Sequence, residues 1–261
     1  MAVQPAVFIG HGSPMNTLEQ NRFTDAWRTF GLLVPRPRAI VAISAHWYVG
    51  TSAVTSMDRP PVIHDFYGFP QQLFDFNYPA PGSPEVAAQV ADVARPTSVT
   101  LDDQSWGIDH GTWSVLAHIF PEADVPVVQL SIDATASLDF HVELGRRLAP
   151  LLDDDVMIVA SGNIVHNLRA ISWHADNQGY DWAQRFDERT REVLASDPTT
   201  LGRLQGDADY ALCAPTPDHF VPLAYLAGIA DARGITPSVL VEGCTMGSLS
   251  MTAYVVEGEA A

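Results

Sequence analysis

The sequence has few cysteines, little positive charge and no long apolar run. Its two cysteines, Cys213 and Cys244, are far apart in the chain, which argues against a disulfide framework and a thiolate zinc cluster and predicts two free thiols. No segment approaches the ~20 continuous apolar residues of a membrane span. The first residues, 1–5, lack the basic region and apolar core of a signal peptide. We therefore expect a cytoplasmic protein with no membrane partner.

The charge balance is strongly acidic. Aspartate and glutamate number 31 against 14 basic residues, giving a formal net charge of −17, and the acidic residues are spread along the chain. Binding of nucleic acid needs a positive surface, so we expect no nucleic-acid partner. Nothing in the sequence indicates an oligomer interface, and the oligomeric state stays open.

Short apolar runs rich in β-branched residues alternate with helical patterns. The predicted strands are 6–9, 39–45, 126–132, 156–160 and 237–241. The predicted helices are 84–94, with Ser83 as N-cap and Pro84 at its first position, 137–152, 180–195 and 220–232. This alternation predicts one α/β domain over residues 1–261, with a mostly parallel central sheet covered by helices on both faces.

One long irregular stretch, residues 58–82, is dense in proline, glycine and aromatic residues. Ordered loops of this length inside a domain are usually functional, so we expect its aromatic part, residues 63–82, to pack over a site as a lid. The alternative is a satellite apolar cluster that caps the sheet.

Four histidines are placed where ligands bind in such a sheet. His11, His46 and His166 follow predicted strands, and the carboxyl ends of parallel strands share one edge. His219 precedes a predicted helix that Asp218 or Thr216 could cap. A single histidine placed in this way is usually structural, but four at one edge predict a metal site.

The other histidines have different predicted roles. His110 opens a helix with Asp109 as a possible N-cap and is a candidate substrate contact, as are His64 in the aromatic loop and Trp47. We interpret His118, His141 and His174 as ordinary surface or half-buried histidines.

Several catalytic motifs are missing from the sequence. It contains no HExxH, no P-loop, no GxGxxG after a strand and no GxSxG nucleophile elbow. Ser13 and Ser161 lie near the histidines, but neither has an identifiable base and acid, which argues against a serine hydrolase.

Together these segments resemble a known family. They are Gly10-His11-Gly12-Ser13-Pro14, Ser44-Ala45-His46-Trp47, Asp65-Phe66-Tyr67-Gly68-Phe69-Pro70, Asp109-His110-Gly111-Thr112-Trp113, Ser161-Gly162-Asn163 with His166-Asn167-Leu168, and Asp218-His219-Phe220-Val221-Pro222. In this order and spacing the chain resembles the class III extradiol ring-cleavage dioxygenases, in particular the 4,5-DOPA extradiol dioxygenase branch.

The resemblance implies a metal-dependent enzyme that inserts O2 into the ring of a small catechol, DOPA-like or other, and releases a ring-opened semialdehyde. One divalent metal per chain would be bound by His11, His46 and His219. His166 would be the acid/base group or a fourth ligand, and His110 would line the pocket for catechol and O2. Fe(II) is the metal expected for activity, although three neutral histidines also suit Zn(II).

Two other functions remain compatible with the residues alone. A zinc-dependent hydrolase would use the metal to activate a water molecule. A non-catalytic relative would keep the fold and the metal without turnover.

Overall fold

The computed structural model describes residues 3–258. Residues 1, 2 and 259–261 of the predicted domain, including the first two used above to argue against a signal peptide, lie outside the described part. The strands are β1 (Ala6–Gly10), β2 (Ala39–Val49), β3 (Ala53–Thr55), β4 (Thr100–Asp102), β5 (Val127–Asp133), β6 (Val156–Gly162), β7 (Ser238–Val241), β8 (Cys244–Thr245), β9 (Leu249–Ser250) and β10 (Ala253–Val256).

Helices connect most of the strands. They are α1 (Arg22–Leu33), α2 (Gln71–Phe74), α3 (Pro84–Val93), α4 (His110–Ile119), α5 (Leu138–Leu148), α6 (Asp181–Ser196), α7 (Tyr210–Cys213) and α8 (Pro222–Arg233). Short 3-10 helices lie at Pro14–Thr17, Ala149–Leu152, Leu168–Ala170 and Pro198–Gly206. Within residues 3–258, no helix has the length and apolarity that crossing a bilayer requires.

Eight strands form one sheet in the order β4-β3-β5-β2-β6-β1-β10-β7. The four central strands, β5, β2, β6 and β1, run parallel to one another. Antiparallel pairing begins on both sides of them, where β3 joins β5 and where β10 joins β1 and β7. Strands β8 and β9 form a separate small hairpin.

Both faces of the sheet are covered. Alternate residues of the central strands point to opposite faces, so Ile40 packs in one apolar cluster and Val41 in the other. One cluster contains the buried sides of α1 and α4, and the other those of α3, α5, α6 and α8. The predicted fold, a mostly parallel sheet between helices, is confirmed.

The register of the central strands aligns their carboxyl ends. Gly10 at the end of β1 lies opposite Gly162 at the end of β6, and Ser44 of β2 lies opposite Ser161. β1 and β6 therefore end at the same level, and the pairing of β2 with β6 also ends there, although β2 itself continues to Val49.

Most predicted elements have the expected position. Ser83 caps α3 through the backbone N–H of Val86, and Pro84 is its first residue, as predicted. The predicted helix 137–152 instead ends at Leu148 and continues as a 3-10 helix. Pro150 explains the change, because proline has no N–H to donate to the helical ladder. Helix α1 and the short strands β3, β4 and β10 were not predicted.

Two glycines let α5 and α8 pack against each other closely. A methyl group added at Gly228 would lie 1.9 Å from the carbonyl oxygen of Val142, and one at Gly145 would lie 2.3 Å from that of Tyr225. Both distances are far shorter than van der Waals contact. The helices approach backbone to backbone, which places α8 and the turn before it firmly on the sheet.

Replacing Gly228 with alanine is therefore expected to lower the free energy of unfolding by about 1–3 kcal/mol, the usual cost of overpacking a core. Alanine is more favourable than glycine in a helix by ~1 kcal/mol, which offsets part of this loss. It does not remove the clash between the two helices. Urea denaturation of wild type and variant measures the difference. Gly206→Ala is the matched control, since a methyl group there would meet nothing within 4 Å. Equal stability of the two variants would contradict the close approach.

Candidate functional site

His11 begins the site directly after β1. The following residue, Gly12, has φ of +63°, a left-handed conformation that glycine adopts without strain. The chain turns there, and the backbone N–H of His11 donates to the carbonyl of Gly162. The imidazole is buried at the carboxyl edge of the sheet.

His46 lies inside β2, not after it, because the strand continues to Val49. Its pairing with β6 ends at Ser44, and its register with β5 shifts between Ile43 and Tyr48. Such an irregularity bends a strand and redirects its side chains. His46 therefore lies at the same edge of the sheet as His11. The prediction that it follows the end of a strand was wrong, because β2 is longer than predicted.

His110 is the first residue of α4, and Asp109 caps this helix by accepting from the N–H of Thr112, as predicted. The next residue is Gly111, where a methyl group would lie 2.7 Å from the His46 ring. Because Gly111 has no side chain, the first turn of α4 can pack directly on His46. The ring centroids of His46 and His110 are 4.0 Å apart.

His166 and His219 are stacked, with ring centroids 3.5 Å apart and planes 4° from parallel. His166 follows β6 through a short turn and its N–H donates to the carbonyl of Cys213. His219 lies in a turn closed by hydrogen bonds to the Pro217 carbonyl, before α8. The expected cap of α8 by Asp218 or Thr216 is absent, because the residue before the helix is Val221, which makes no side-chain cap.

Three of the rings form a nearly equilateral triangle. The centroids of His11, His46 and His219 are separated by 5.2, 5.2 and 5.1 Å. His110 is nearer to His46 but 6.0 Å from His11, between centroids. By the spacing of ligand atoms alone, His11, His46 and His110 also form a group, with one nitrogen of each within 4.8 Å of the others. Both sets share His11 and His46.

A second contact orients each ring of the triangle. The Nδ1 of His11 lies 2.9 Å from Ser161 Oγ, whose hydroxyl donates to the Gly111 carbonyl at 2.5 Å, so Ser161 accepts from His11. The Nδ1 of His46 lies 2.9 Å from Asp65 Oδ2, and that of His219 donates to Asp218. With each Nδ1 carrying a proton, each Nε2 keeps a lone pair.

This arrangement fits a metal cation. The Nε2 atoms of His11 and His46 face each other at 3.3 Å. Two lone pairs at that distance repel unless a proton or a metal ion lies between them. Carboxylate or hydroxyl partners behind ligating imidazoles are typical of metal sites, because they fix the tautomer and the ring orientation.

The pKa values of the cluster agree with neutral, ligating imidazoles at most positions. Burial, followed by the neighbouring histidines, holds the pKa values of His11 and His219 well below the usual range. Burial and the charge of His46 also lower the pKa of His110. Burial lowers the pKa of His46 too, but the hydrogen bond to Asp65 and the charges of Asp109, Asp65 and Asp218 outweigh burial and raise the value.

Asp65 is a site residue to which the sequence assigned no role. One of its oxygens accepts from the Nδ1 and the backbone N–H of His110 at 2.7 and 3.1 Å, and the other lies 2.9 Å from His46 Nδ1. Burial raises the pKa of this carboxyl, but the hydrogen bonds from His110 and His46 outweigh burial and hold it far below its usual range. The loop residue thus holds two imidazoles at once. Its position beside His64 in the aromatic loop was a possible signal.

Replacing Asp65 with asparagine is expected to weaken metal binding by about 10–100-fold, the usual effect of losing such a partner. The asparagine oxygen could still accept from one imidazole, but its NH2 group would face the N–H of the other. Two donors repel, so the ring of His46 or of His110 must turn or change tautomer. Competition with a coloured chelator measures the affinity. Asp75→Asn, at an exposed carboxylate of the same loop that accepts from Gln71, is the control. Unchanged affinity in the Asp65 variant would show that this carboxylate does not orient the ligands.

A cavity of about 420 Å³ opens onto these rings, within the range of small-molecule sites. All five histidines of the cluster line it, together with residues of loop 58–82 and of segment 168–173. The loop therefore packs over the site, as expected, while its Leu73 and Tyr78 also join the core.

Two predicted substrate contacts are not brought to this cavity. Trp47 is 3% exposed and stacks on Trp106 at 5.8 Å, because alternate residues of a strand point away from each other and His46 takes the site face. His64 donates from Nε2 to the carbonyl of Phe76 at 2.8 Å and packs on Phe66. His64 therefore stabilises the loop through these contacts and does not line the cavity.

The remaining histidines lie away from the cavity. His174 is exposed, as predicted. His118 and His141 are buried, which corrects the expectation of surface or half-buried positions. His118 Nε2 donates to the Asn16 carbonyl, and His141 contacts the hydroxyl of Tyr225, so both are satisfied core histidines.

Comparison with known families gives one match over almost the whole chain. Residues 6–256 match the model described as the catalytic LigB subunit of aromatic ring-opening dioxygenase.

Individual relatives agree with this match. A 4,5-DOPA dioxygenase extradiol from Escherichia coli (strain K12) is 49% identical over 251 residues, covering 95% of this chain and 92% of the relative. A protein of the same name from Beta vulgaris is 35% identical over 237 residues, covering 87% of each chain. A crystal structure of a protein from Escherichia coli K12 superposes with a TM-score of 0.84 at 42% identity, covering 97% of this chain and 99% of that one.

Proposed function

Because this chain belongs to the LigB family of catalytic subunits of aromatic ring-opening dioxygenases, we propose that it cleaves a small catechol, DOPA-like or other, with O2 and a bound divalent metal. The extradiol ring-opening activity is that of its family and of its relatives named 4,5-DOPA dioxygenase extradiol. The product would be a ring-opened semialdehyde.

His11, His46 and His219 would hold the metal. The observation that carries this choice is their even spacing, with centroid separations of 5.1–5.2 Å and one oriented Nδ1 each. Three protein ligands leave open positions, and a bound Fe(II) would supply a template on which a catechol and O2 meet and exchange electrons. Zn(II) accepts the same neutral ligands and is the alternative metal.

His166 would move protons. Its ring lines the cavity, and within residues 3–258 neither of its ring nitrogens has a protein hydrogen-bond partner, whereas the other four cluster histidines each have one. It is therefore free to accept a proton from a catechol hydroxyl and to return one later. Its stacking on His219 also keeps open the role of a fourth ligand.

His110 would position the substrate. Its Nδ1 is fixed by Asp65, so the opposite edge of the ring is presented to the cavity in one orientation. Phe66, whose ring lies 5.4 Å from His110 between centroids, belongs to the loop that covers this side. A fixed ring beside an enclosed wall holds a bound catechol in place and limits water.

The direct test is reconstitution. The metal-free protein is loaded with Fe(II) under anaerobic conditions, L-DOPA or 4-methylcatechol is added, and oxygen is admitted. We expect a yellow semialdehyde and consumption of one O2 per catechol. The protein loaded with Zn(II) is the control and should give no product. Absence of ring opening with every catechol at full iron occupancy would contradict the proposal.

A further inference from the structure

Asp109 is a fully buried acidic residue that does not line the cavity. Its Oδ1 accepts from the hydroxyl of Ser44 at 2.7 Å and from the backbone N–H of Thr112 at 3.2 Å. Its Oδ2 accepts from the indole N–H of Trp106 at 3.2 Å and from the side-chain amide of Gln129. The cap of α4 accounts for only one of these contacts.

The hydrogen bonds of these partners require a carboxylate at Asp109. Indole and backbone N–H groups can only donate. The amide of Gln129 has one orientation, because its oxygen accepts from the backbone N–H of Asp109 at 3.3 Å and from the Thr112 hydroxyl at 2.9 Å. The Ser44 oxygen accepts from the backbone N–H of His46 at 3.2 Å, which leaves its hydroxyl hydrogen for Asp109. A proton on the carboxyl group would meet a donor on every side.

No cation balances this charge among its contacts. The four partners are neutral groups, and no ion pair found within residues 3–258 includes Asp109. Burial of a charge without a positive partner is costly, even when its hydrogen bonds are complete. A positive charge held nearby would offset that cost.

Asp109 lies close to two of the site histidines. Its carboxylate is joined to the backbone of His46 through the hydroxyl of Ser44. It also caps α4, whose first residue is His110. A methyl group at Gly111 would lie 3.3 Å from Asp109 Oδ1 and 2.7 Å from His46 Cδ2, so the carboxylate and this imidazole border the same small space. A metal ion bound by His46 would therefore be a positive charge close to Asp109.

Asp109 differs from the other two carboxylates at the site. Asp65 and Asp218 contact the imidazole Nδ1 atoms, whereas within residues 3–258 no imidazole nitrogen contacts Asp109. Its influence is therefore exerted through charge and through the placement of His46 and His110, and not through their tautomers.

We propose that Asp109 is a positioning residue of the metal centre, where its buried negative charge is balanced by the bound divalent cation and strengthens metal binding. This inference rests on the metal site of the function proposed above and adds a residue to it. Because the three ligands are neutral, the carboxylates behind them supply the negative charge that stabilises the cation. With iron bound, the same charge favours the ferric over the ferrous state, so its removal raises the reduction potential.

Asp109→Asn tests the charge, because asparagine has nearly the same size and is also a favourable helix N-cap. We expect the affinity for Zn(II) to fall about tenfold, at the lower end of the range for residues behind metal ligands, and the potential of the iron-loaded protein to rise. Competition with a coloured chelator at fixed pH measures the affinity, and a redox titration measures the potential. Asp155→Asn is the matched control and should change neither, since this carboxylate accepts from Gln4 beside the amino end of β6.

A double variant, Asp109→Asn/Gln129→Glu, returns the charge to the same buried pair. The new amide can donate to the new carboxylate, which still accepts from the Thr112 hydroxyl. Trp106 loses its acceptor in the single and the double variant alike, so this loss cancels between them. We expect the double variant to recover most of the lost Zn(II) affinity. Because its charge and most of its hydrogen bonds are those of wild type, it tests the inference even if Asp109→Asn does not fold.

Unchanged affinity and potential in Asp109→Asn would overturn the inference. So would a double variant that is folded by thermal unfolding but binds Zn(II) no better than the single variant, or not at all. Metal binding is measured without catechol or O2, which separates the two proposals. If wild type binds metal but opens no catechol, the ring-opening proposal fails and the affinities still decide the role of Asp109. If wild type opens catechols and Asp109→Asn matches its affinity and potential, this inference alone fails.

Discussion

Replacement of His11, His46 or His219 by alanine is expected to yield a folded protein that loses its divalent metal and its ring-opening activity. Each variant removes one corner of an even triangle of imidazoles and leaves the other two with too few ligands. The loss in metal affinity should exceed the ~100-fold limit seen when only a supporting contact is removed. Metal analysis after dialysis against a metal buffer gives the stoichiometry, and thermal unfolding shows that the fold is retained.

Two further variants make this test specific. His174→Ala, at an exposed histidine outside the cavity, should retain one metal ion per chain. His110→Ala should also retain the metal, although one nitrogen of His110 lies within 4.8 Å of those of His11 and His46. If the His110 variant lost the metal and the His219 variant kept it, His110 would be the metal ligand and His219 would not.

Replacement of His166 by glutamine is expected to lower kcat by about 10²–10⁴-fold, the usual contribution of a positioned acid/base group. Glutamine keeps a polar side chain against His219 but cannot carry a proton between substrate and solvent near neutral pH. The metal content and the anaerobic affinity for a catechol should be nearly unchanged. Single-turnover kinetics on the iron-loaded protein measures the chemical step.

The result would separate the two roles left open for His166. A fall in metal content together with activity would identify a fourth ligand, and unchanged turnover at full metal content would contradict the acid/base role. His174→Gln is the matched control because its side chain is exposed outside the cavity.

The central architecture was predictable because it depends on local sequence. Strands β1, β2, β5 and β6 are buried on both faces and appear as apolar runs, and a capped helix such as α3 carries its own signal in Ser83 and Pro84. Strands β3 and β4 have only three residues each, too few for a period to be recognised. Their pairing is decided by distant neighbours.

The site was predictable to the extent that it depends on strand ends. His11 follows β1 directly, and the shared edge of parallel strands brings it near His46 and the segment after β6. The hydrogen bonds of Asp65 could not be predicted, since they join residues 19 and 45 positions apart and Asp65 itself lies in an irregular part of its loop. The direction of Trp47 follows from strand alternation once β2 is known to continue to Val49, whereas the direction of His64 depends on packing that no local pattern encodes.

Arginine is the only strongly basic residue type in the sequence, which contains no lysine. This composition affects how long the enzyme would stay chemically intact. The ring opening proposed above would release an aldehyde beside the protein at each turnover, and aldehydes condense with the amino group of lysine to form imines. The sequence has no lysine, and arginines such as Arg185, Arg189 and Arg233 pair with carboxylates instead. A guanidinium stays protonated at neutral pH and is a poor nucleophile. The side chains of this protein therefore offer its own product no amine to modify.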